Sequence, residues 1–220
     1  LVRPYDTESL QLFHNECRVL ARLEHPNIAR MIDGGVAEDG TPFIVMEYVD
    51  GVPIDKFCAS NELSVDQRLD LFRTVCAAVS HSHRHSTIHR DIKPSNVMLT
   101  IDNDVRIIDF GIAICADAEI SRIEGIAGSP SYLSPEQVQS EELTSRSGIY
   151  SLGAVLYELL TGFRPFRADN LSKLLHQIVY ATPPPIHTYR DDLPEELEHV
   201  VAMTMQKDPD KRCPSGNSLA

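Results

Sequence analysis

The sequence has 220 residues, of which 42% are hydrophobic and 24% charged, which is typical of a soluble globular domain. Its net charge of -12, without a run of Lys and Arg, argues against nucleic acid and anionic membranes as partners. The five cysteines form no CxxC pair, which favours reduced thiols and a cytoplasmic location. No stretch predicts a signal peptide or a membrane span in this segment, and an anchor elsewhere in a longer chain is left open.

The first predicted element is an amphipathic helix over residues 7–23. Apolar side chains recur there at helical spacing, at Leu10, Phe13, Cys17, Leu20 and Leu23. Pro26 is expected to end this helix. Two apolar runs follow, IARMIDGG and TPFIVMEYV, and the turn-forming residues AEDG separate them. This pattern predicts a β-hairpin.

Helical patterns dominate after Asp50. Ser64 is a suitable N-cap for a helix whose apolar face comprises Val65, Leu69, Phe72, Cys76 and Val79. The runs VMLTI and VRIID flank the turn DND and predict two short strands. A loop rich in Ser, Gly and Pro is expected from Gly111 to Glu136. Further helices are predicted near residues 149–161, 169–181 and 194–206, and another begins at NSLA.

A pattern for phosphoryl transfer lies in the middle of the chain. The motif H-R-D-x-x-x-x-N is matched by His89, Arg90, Asp91 and Asn96, and Asp-Phe-Gly follows at residues 109–111. Transfer of a γ-phosphoryl group needs a carboxylate that orients the attacking hydroxyl, and Asp91 is the candidate. Asn96 and Asp109 offer hard oxygen ligands for Mg²⁺. Lys93 can stabilise charge on the transferred group.

With Ser134-Pro135-Glu136 downstream, the sequence resembles the protein kinase family, and its Ser/Thr branch in particular. The phrases LEHPNIARMIDGG and FIVMEYVDG resemble bacterial eukaryotic-like Ser/Thr kinases. This resemblance implies an α+β, two-lobed protein-kinase-like fold. A small β-rich N-lobe, incomplete here, is expected over residues 1–48, and a mostly helical C-lobe, truncated near its last helix, over 49–220. The implied reaction transfers the ATP γ-phosphoryl, with Mg²⁺, to Ser or Thr hydroxyls of protein substrates, including the kinase itself.

The same resemblance implies a set of nucleotide-binding positions. Glu16 matches the helix glutamate that pairs with a strand lysine, although a solvated acid is the alternative. Met46 stands at the gatekeeper position. The main chain of Glu47 to Val49 is where hydrogen bonds to adenine are expected. Leu99 would lie under the adenine ring, and a plain core leucine describes it equally well.

Regulation by phosphorylation is suggested by Arg90, because an arginine next to the catalytic aspartate can pair with a phosphate on the following loop. Ser121 is the best-placed acceptor in that loop. Ser129 and Ser131 lie nearer the substrate-facing end, and Ser129 also matches a residue that clamps the catalytic Asp and Lys. The loop contains no threonine, which weakens the regulatory interpretation. Separately, Glu136 is expected to pair with a buried arginine at position 212.

Histidines at positions 81, 83, 85 and 89 could suggest zinc. The favoured interpretation is different, because His89 belongs to the kinase motif and histidine is common near helix C-termini. We therefore expect no zinc site there.

Two features depart from the family pattern. The sequence begins after the positions of the G-x-G-x-x-G-x-V loop and the V-A-I-K lysine, so the segment alone is expected to be inactive. Gly148 stands where the family has an aspartate that accepts bonds from the HRD turn, and losing such an acceptor costs about 1–3 kcal/mol per buried donor. The alternative function is a pseudokinase or regulatory binding scaffold without turnover. A small-molecule phosphotransferase is disfavoured by GSPSYLSPE, which resembles a peptide-positioning segment.

Overall fold

The computed structural model of the protein describes residues 7–110 and 130–220. Helices and strands follow one another in these ranges in the order α1 (Thr7–Leu20), β1 (Met31–Val36), β2 (Pro42–Met46), β3 (Gly51–Pro53), α2 (Ile54–Ser60), α3 (Val65–Arg84), β4 (Val97–Thr100), β5 (Val105–Ile107), α4 (Pro135–Val138), α5 (Ser145–Thr161), α6 (Leu171–Tyr180), α7 (Glu195–Thr204) and α8 (Gly216–Leu219). All of the described strands lie before Phe110, among α1, α2 and α3, whereas residues 130–220 contain helices without strands, and the expected α+β class is confirmed.

The described strands form two small antiparallel sheets. One is the hairpin of β1 and β2, in which Gly34 lies opposite Ile44. The other has the order β3–β4–β5, with Leu99 on the central strand opposite both Val52 and Val105. The hairpin predicted around AEDG and the two short strands predicted around DND are therefore confirmed, and the latter also pair as a hairpin.

The first helix is shorter than predicted. α1 ends at Leu20, and a turn follows before Pro26 is reached. Leu23 is nevertheless buried, with 3% of its surface exposed. Its apolar character thus reflects packing from the turn into the core, and it does not continue the helical periodicity.

The core is built around α3 and α5. A capping box starts α3, because the Ser64 hydroxyl accepts from the Gln67 N–H while the Gln67 side chain accepts from the Ser64 N–H. α5 is buried on nearly all sides, as expected for a helix that crosses the centre of a domain. Gly162, with φ of +77°, ends this helix in the left-handed conformation that glycine adopts at low cost.

α5 begins at Ser145, earlier than the predicted residue 149. Thr144 is its N-cap and forms a capping box with Ser147, so Gly148 lies inside the first turns of the helix. The other predicted helices are observed with slightly different ends, as α6, α7 and α8. No helix in residues 7–110 or 130–220 is long and apolar enough to cross a lipid bilayer.

Candidate active site

The catalytic loop follows α3 and runs into β4 through a 3₁₀ turn at Pro94–Asn96. His89 holds the start of this loop in place. Only 1% of its surface is exposed. Nδ1 of His89 accepts from the Asp91 N–H (3.3 Å), and Nε2 donates to the Ile108 carbonyl (2.9 Å). Burial lowers the pKa of His89, so a neutral ring with its proton on Nε2 satisfies both bonds. The imidazole thereby joins the Asp91 turn to the strand segment before Asp109.

Three of the predicted catalytic side chains come together in this loop. Nζ of Lys93 lies 2.5 Å from Oδ2 of Asp91. Nδ2 of Asn96 donates to the Asp91 carbonyl (2.9 Å) and to Asp91 Oδ2 (3.2 Å). Half of the Asp91 side-chain surface is exposed (50%), against 18% for Lys93. The carboxylate is therefore held by Lys93 and Asn96 and is also open to solvent, as a group that contacts an incoming hydroxyl needs to be.

Asp109 is positioned next to this loop by the main chain. The Ile108 N–H donates to the Asn96 carbonyl (2.9 Å), and the Phe110 ring packs against the His89 ring with centroids 4.4 Å apart. Phe110 is buried, whereas Asp109 is exposed. Asp109 has φ of +58°, a left-handed conformation that is uncommon for a residue with a side chain. Its neighbours thus anchor an aspartate whose backbone turns its side chain away from the core.

The donor set of Asn96 and Asp109 fits a magnesium ion. Since the Asn96 amide nitrogen donates to Asp91, its Oδ1 points away from that carboxylate, and the Ser95 hydroxyl approaches it at 3.5 Å. An amide oxygen and a carboxylate are hard ligands, and Mg²⁺ is usually held by one or two protein groups together with phosphates and water. In the described ranges, no group of three or more His, Cys, Asp and Glu is placed to hold a metal.

The histidines near the end of α3 have other surroundings. The His81 ring lies between those of His25 and His85, tilted against both, with centroid distances of 4.8 and 4.4 Å. His83 is turned into the core instead, against Gly148. His81, in α3, and His85, the C-cap of that helix, are thus in aromatic contact with each other.

The residues predicted to contact ATP lie around β2 and β4. Met46 ends β2 and is half-buried, and the Glu47 N–H donates to the Arg30 carbonyl (2.8 Å). Val49 is half-buried, while Leu99 is 1% exposed in the centre of the three-stranded sheet. Glu16 lies within α1, and its side chain is outside the described part of the structure.

Of the predicted regulatory residues, the structure describes Arg90 but not Ser121 or Ser129, which lie outside the described ranges. Arg90 adopts a left-handed conformation with φ of +65°, directly before Asp91. Its carbonyl accepts a hydrogen bond of 2.6 Å from Nε2 of Gln137. The less favoured acceptor, Ser131, is buried.

Gln137 is a site residue that sequence reasoning missed. Its Oε1 accepts from the Ser134 N–H (3.0 Å) to complete the capping box of α4, while Nε2 reaches Arg90. The spacing S-x-x-Q in SPEQ signals the capping box. The contact with Arg90, 47 residues away, depends on the tertiary fold and has no local signal.

The expected pairing of Glu136 with Arg212 is confirmed. Two hydrogen bonds of 2.6 and 3.0 Å join the carboxylate and the guanidinium, whose side chains are 3% and 0% exposed. Burial is the largest single effect on the pKa of Glu136 and would raise it, but the hydrogen bonds and positive charge of Arg212, together with hydrogen bonds from the Glu136 backbone and Ser147, outweigh it and hold the pKa below its usual value. This buried pair connects α4 to the chain after α7.

Comparisons with known proteins show which family this sequence resembles. Residues 3–219 match the family model described as protein kinase domain. The serine/threonine-protein kinase PknB of Mycolicibacterium smegmatis is 39% identical over 207 residues, which cover 91% of this chain and 33% of that protein. The serine/threonine-protein kinase PrkC of Bacillus subtilis is 34% identical over 206 residues, covering 93% of this chain and 32% of its own length. A probable serine/threonine-protein kinase of Streptomyces coelicolor is 35% identical over 214 residues, with shares of 94% and 32%.

The chain spans about a third of the length of these relatives. The match nevertheless includes the catalytic loop, residues Asp109 and Phe110, and the buried Glu136–Arg212 pair, because it extends over almost all of the sequence. The resemblance to the bacterial eukaryotic-like Ser/Thr kinases is confirmed, and the chain belongs to the protein kinase domain family.

Proposed function

We propose that this chain is the catalytic segment of an ATP-dependent protein serine/threonine kinase. The observation that carries the proposal is the joint placement of Asp91, Lys93 and Asn96, with Asp109 connected to the same loop through the Ile108–Asn96 hydrogen bond. The names of the relatives, all serine/threonine-protein kinases, support the choice of Ser and Thr hydroxyls as acceptors.

In the proposed reaction, Asp91 orients the hydroxyl of a protein substrate and accepts its proton. Asn96 holds the Asp91 carboxylate in place through its amide N–H. Lys93, 2.5 Å from the same carboxylate, is close enough to stabilise negative charge on the group being transferred. Asp109 and the Asn96 amide oxygen would hold Mg²⁺, which neutralises phosphate charge when bound.

The nucleotide would lie between the β2–β3 connection and β4, with the main chain of Glu47 to Val49 toward adenine and Leu99 beneath it. Proteins with an accessible Ser or Thr are the proposed substrates, and the kinase itself is one of them. Arg90 would receive a phosphate placed on Ser121 or Ser129. A binding scaffold without turnover is the competing function, and activity measurements separate the two.

The test is transfer of labelled γ-phosphate from Mg·ATP to a generic Ser/Thr substrate by the full-length natural protein. Asp91→Asn should lower turnover by about 10²- to 10⁴-fold, the usual contribution of a positioned base. Asp102→Asn is a matched control, because it makes the same change on the exposed turn between β4 and β5. Wild-type turnover in Asp91→Asn, or no transfer by the wild type, would contradict the proposal.

A further inference from the structure

Glu47 connects two parts of the molecule through its side chain. Oε2 of Glu47, just after β2, accepts a short hydrogen bond from Nη2 of Arg106 on β5 and a second bond of 3.2 Å from the Arg30 N–H. The Glu47 N–H also donates to the Arg30 carbonyl (2.8 Å). Glu47 thus contacts the segment before β1 through both its main chain and its carboxylate, and it contacts β5 through its carboxylate.

The main chain makes the same junction. The Ile107 N–H donates to the Asn27 carbonyl (2.8 Å), and the Ile107 carbonyl accepts from the Ala29 N–H (2.8 Å). Nδ2 of Asn27 donates to the Val105 carbonyl at 2.8 Å. The segment 27–30 therefore runs along β5, and the Glu47–Arg106 ion pair closes the side of this junction that faces away from the core.

Arg106 is well placed to act on Glu47. Side chains alternate along β5, so that Val105 and Ile107 are buried while Arg106 lies on the opposite face. The side chains of Arg106 and Glu47 are only 21% and 38% exposed, so solvent screens their attraction only in part. Nε of Arg106 is buried and has no hydrogen-bond partner among the described residues. Removing the Glu47 carboxylate would thus deprive a largely buried guanidinium of its partner.

Both ends of the pair lead directly to the proposed site. Glu47 begins the stretch of main chain assigned to adenine, and Arg106 lies on the strand that continues through Ile108 to Asp109. We propose that Arg106 is a positioning residue for the nucleotide: it holds Glu47, and with it the main chain of residues 47–49, at a fixed distance from Asp109. This inference rests on the proposed function, because it assigns a role within ATP binding.

The experiment uses the full-length natural protein and compares Arg106→Gln, Glu47→Gln and the charge-swapped double variant Glu47→Arg/Arg106→Glu. The Kd for Mg·ATP is measured by calorimetry, and the KM for ATP, the KM for a peptide and kcat are measured separately. Arg106→Gln should raise the Kd and the KM for ATP about 3- to 10-fold and leave the KM for the peptide unchanged. The charge-swapped variant should recover most of the ATP affinity.

Arg190→Gln is the matched control, because it removes an arginine from a bidentate pair with Asp192 on an exposed loop. It should leave all four quantities unchanged. An unchanged ATP affinity in Arg106→Gln would overturn the inference. So would equal losses in ATP affinity, peptide KM and kcat, or a charge-swapped variant no better than the single ones. If Arg106→Gln does not fold, the charge-swapped variant still decides the outcome.

The two proposals fail differently. A wild-type protein that binds Mg·ATP but transfers no phosphate would overturn the proposed function, and the effect of Arg106 on ATP affinity would still be measured. A wild-type protein that binds no Mg·ATP would overturn both.

Discussion

Gly148 on α5 lies directly against the imidazole of His83 on α3. A Cβ added at residue 148 would be 2.8 Å from Nε2 and 2.9 Å from Cε1 of that ring. Both ring nitrogens of His83 are buried without a hydrogen-bond partner in the described part of the chain. The ring therefore takes the space that a side chain at residue 148 would need, and an aspartate there would have to displace it.

The first prediction concerns this contact. Gly148→Ala should lower the free energy of unfolding by about 1–3 kcal/mol, because overpacking a buried site outweighs the better helix propensity of alanine. His83→Ala removes the ring that the new methyl group would meet. In urea denaturation, the double variant His83→Ala/Gly148→Ala should thus be more stable than the sum of the two single effects predicts. Additive effects, or a Gly148→Ala variant as stable as the wild type, would contradict the packing described here.

The second prediction is a loss of stability at acidic pH. Burial lowers the pKa of His83 to about 4, below its ordinary value of 6.5, and burial is also the main cause of the lowered pKa of His89. As pH falls below 6.5, the unfolded chain binds protons that the folded chain does not. Stability present at neutral pH is therefore lost toward pH 4, by up to about 1.4 kcal/mol per pH unit for each such histidine.

Urea denaturation of the wild type and His83→Gln between pH 7.5 and 4.5 checks this. The variant should show a smaller decrease in unfolding free energy over that range. His176→Gln, an exposed histidine on α6, should behave as the wild type does. An equal pH dependence in His83→Gln would show that His83 is not held neutral by the fold.

Much of the site could be predicted from sequence because its chemistry depends on local spacing. The motif around Asp91 and the strand pairs β1–β2 and β4–β5 have short-range signals, and the structure brings Asp91, Lys93 and Asn96 together in one loop. The predicted start of α5 at residue 149 was wrong. The low helix propensity of Gly148 argued against a helix there, whereas the capping box of Thr144 with Ser147 starts the helix at Ser145.

Other features could not be predicted, because they depend on which segments the fold brings together. Glu47 and Arg106 are 59 residues apart, and no local pattern relates them. The burial of His83 against Gly148 likewise requires the packing of α3 on α5. The sequence identified Gly148 as a departure from the family pattern, but not the side chain that occupies its surroundings.

The third prediction concerns Gln137, which donates to the Arg90 carbonyl next to Asp91. Gln137→Glu keeps an oxygen that can accept from Ser134, but it replaces the donor with a carboxylate facing a carbonyl. We expect kcat to fall about tenfold, because a misplaced catalytic group costs rate even when chemistry is otherwise intact. Steady-state transfer by the full-length protein measures this.

Gln67→Glu is the control for that variant. Gln67 forms the same capping box with Ser64 at the start of α3, in an exposed position. Its substitution tests the capping role without the catalytic loop, and kcat should be unchanged. A Gln137→Glu enzyme with wild-type kcat would show that the Arg90 contact does not position Asp91.

The last prediction concerns the buried pair of Glu136 and Arg212. Arg212→Ala should lower the unfolding free energy by about 3–5 kcal/mol, because it leaves a buried carboxylate without its cation. Arg190→Ala, which breaks an exposed pair with Asp192, should cost no more than about 1 kcal/mol. Urea denaturation of the two variants compares them directly, and equal losses would contradict the assigned burial.

Replacing both members of the buried pair should not restore stability. Apolar residues often substitute for a buried ion pair at little cost. Arg212, however, also donates to three backbone carbonyls, those of Arg146, Gln206 and Lys207, at 2.9, 2.7 and 2.9 Å. In Glu136→Gln/Arg212→Met the three carbonyls lose their hydrogen bonds from Arg212, so the double variant should remain destabilised by several kcal/mol, at about 1 kcal/mol for each bond. A double variant as stable as the wild type would mean that the carbonyl contacts add no net stability, and that Arg212→Ala is destabilising only because it leaves the Glu136 carboxylate unpaired.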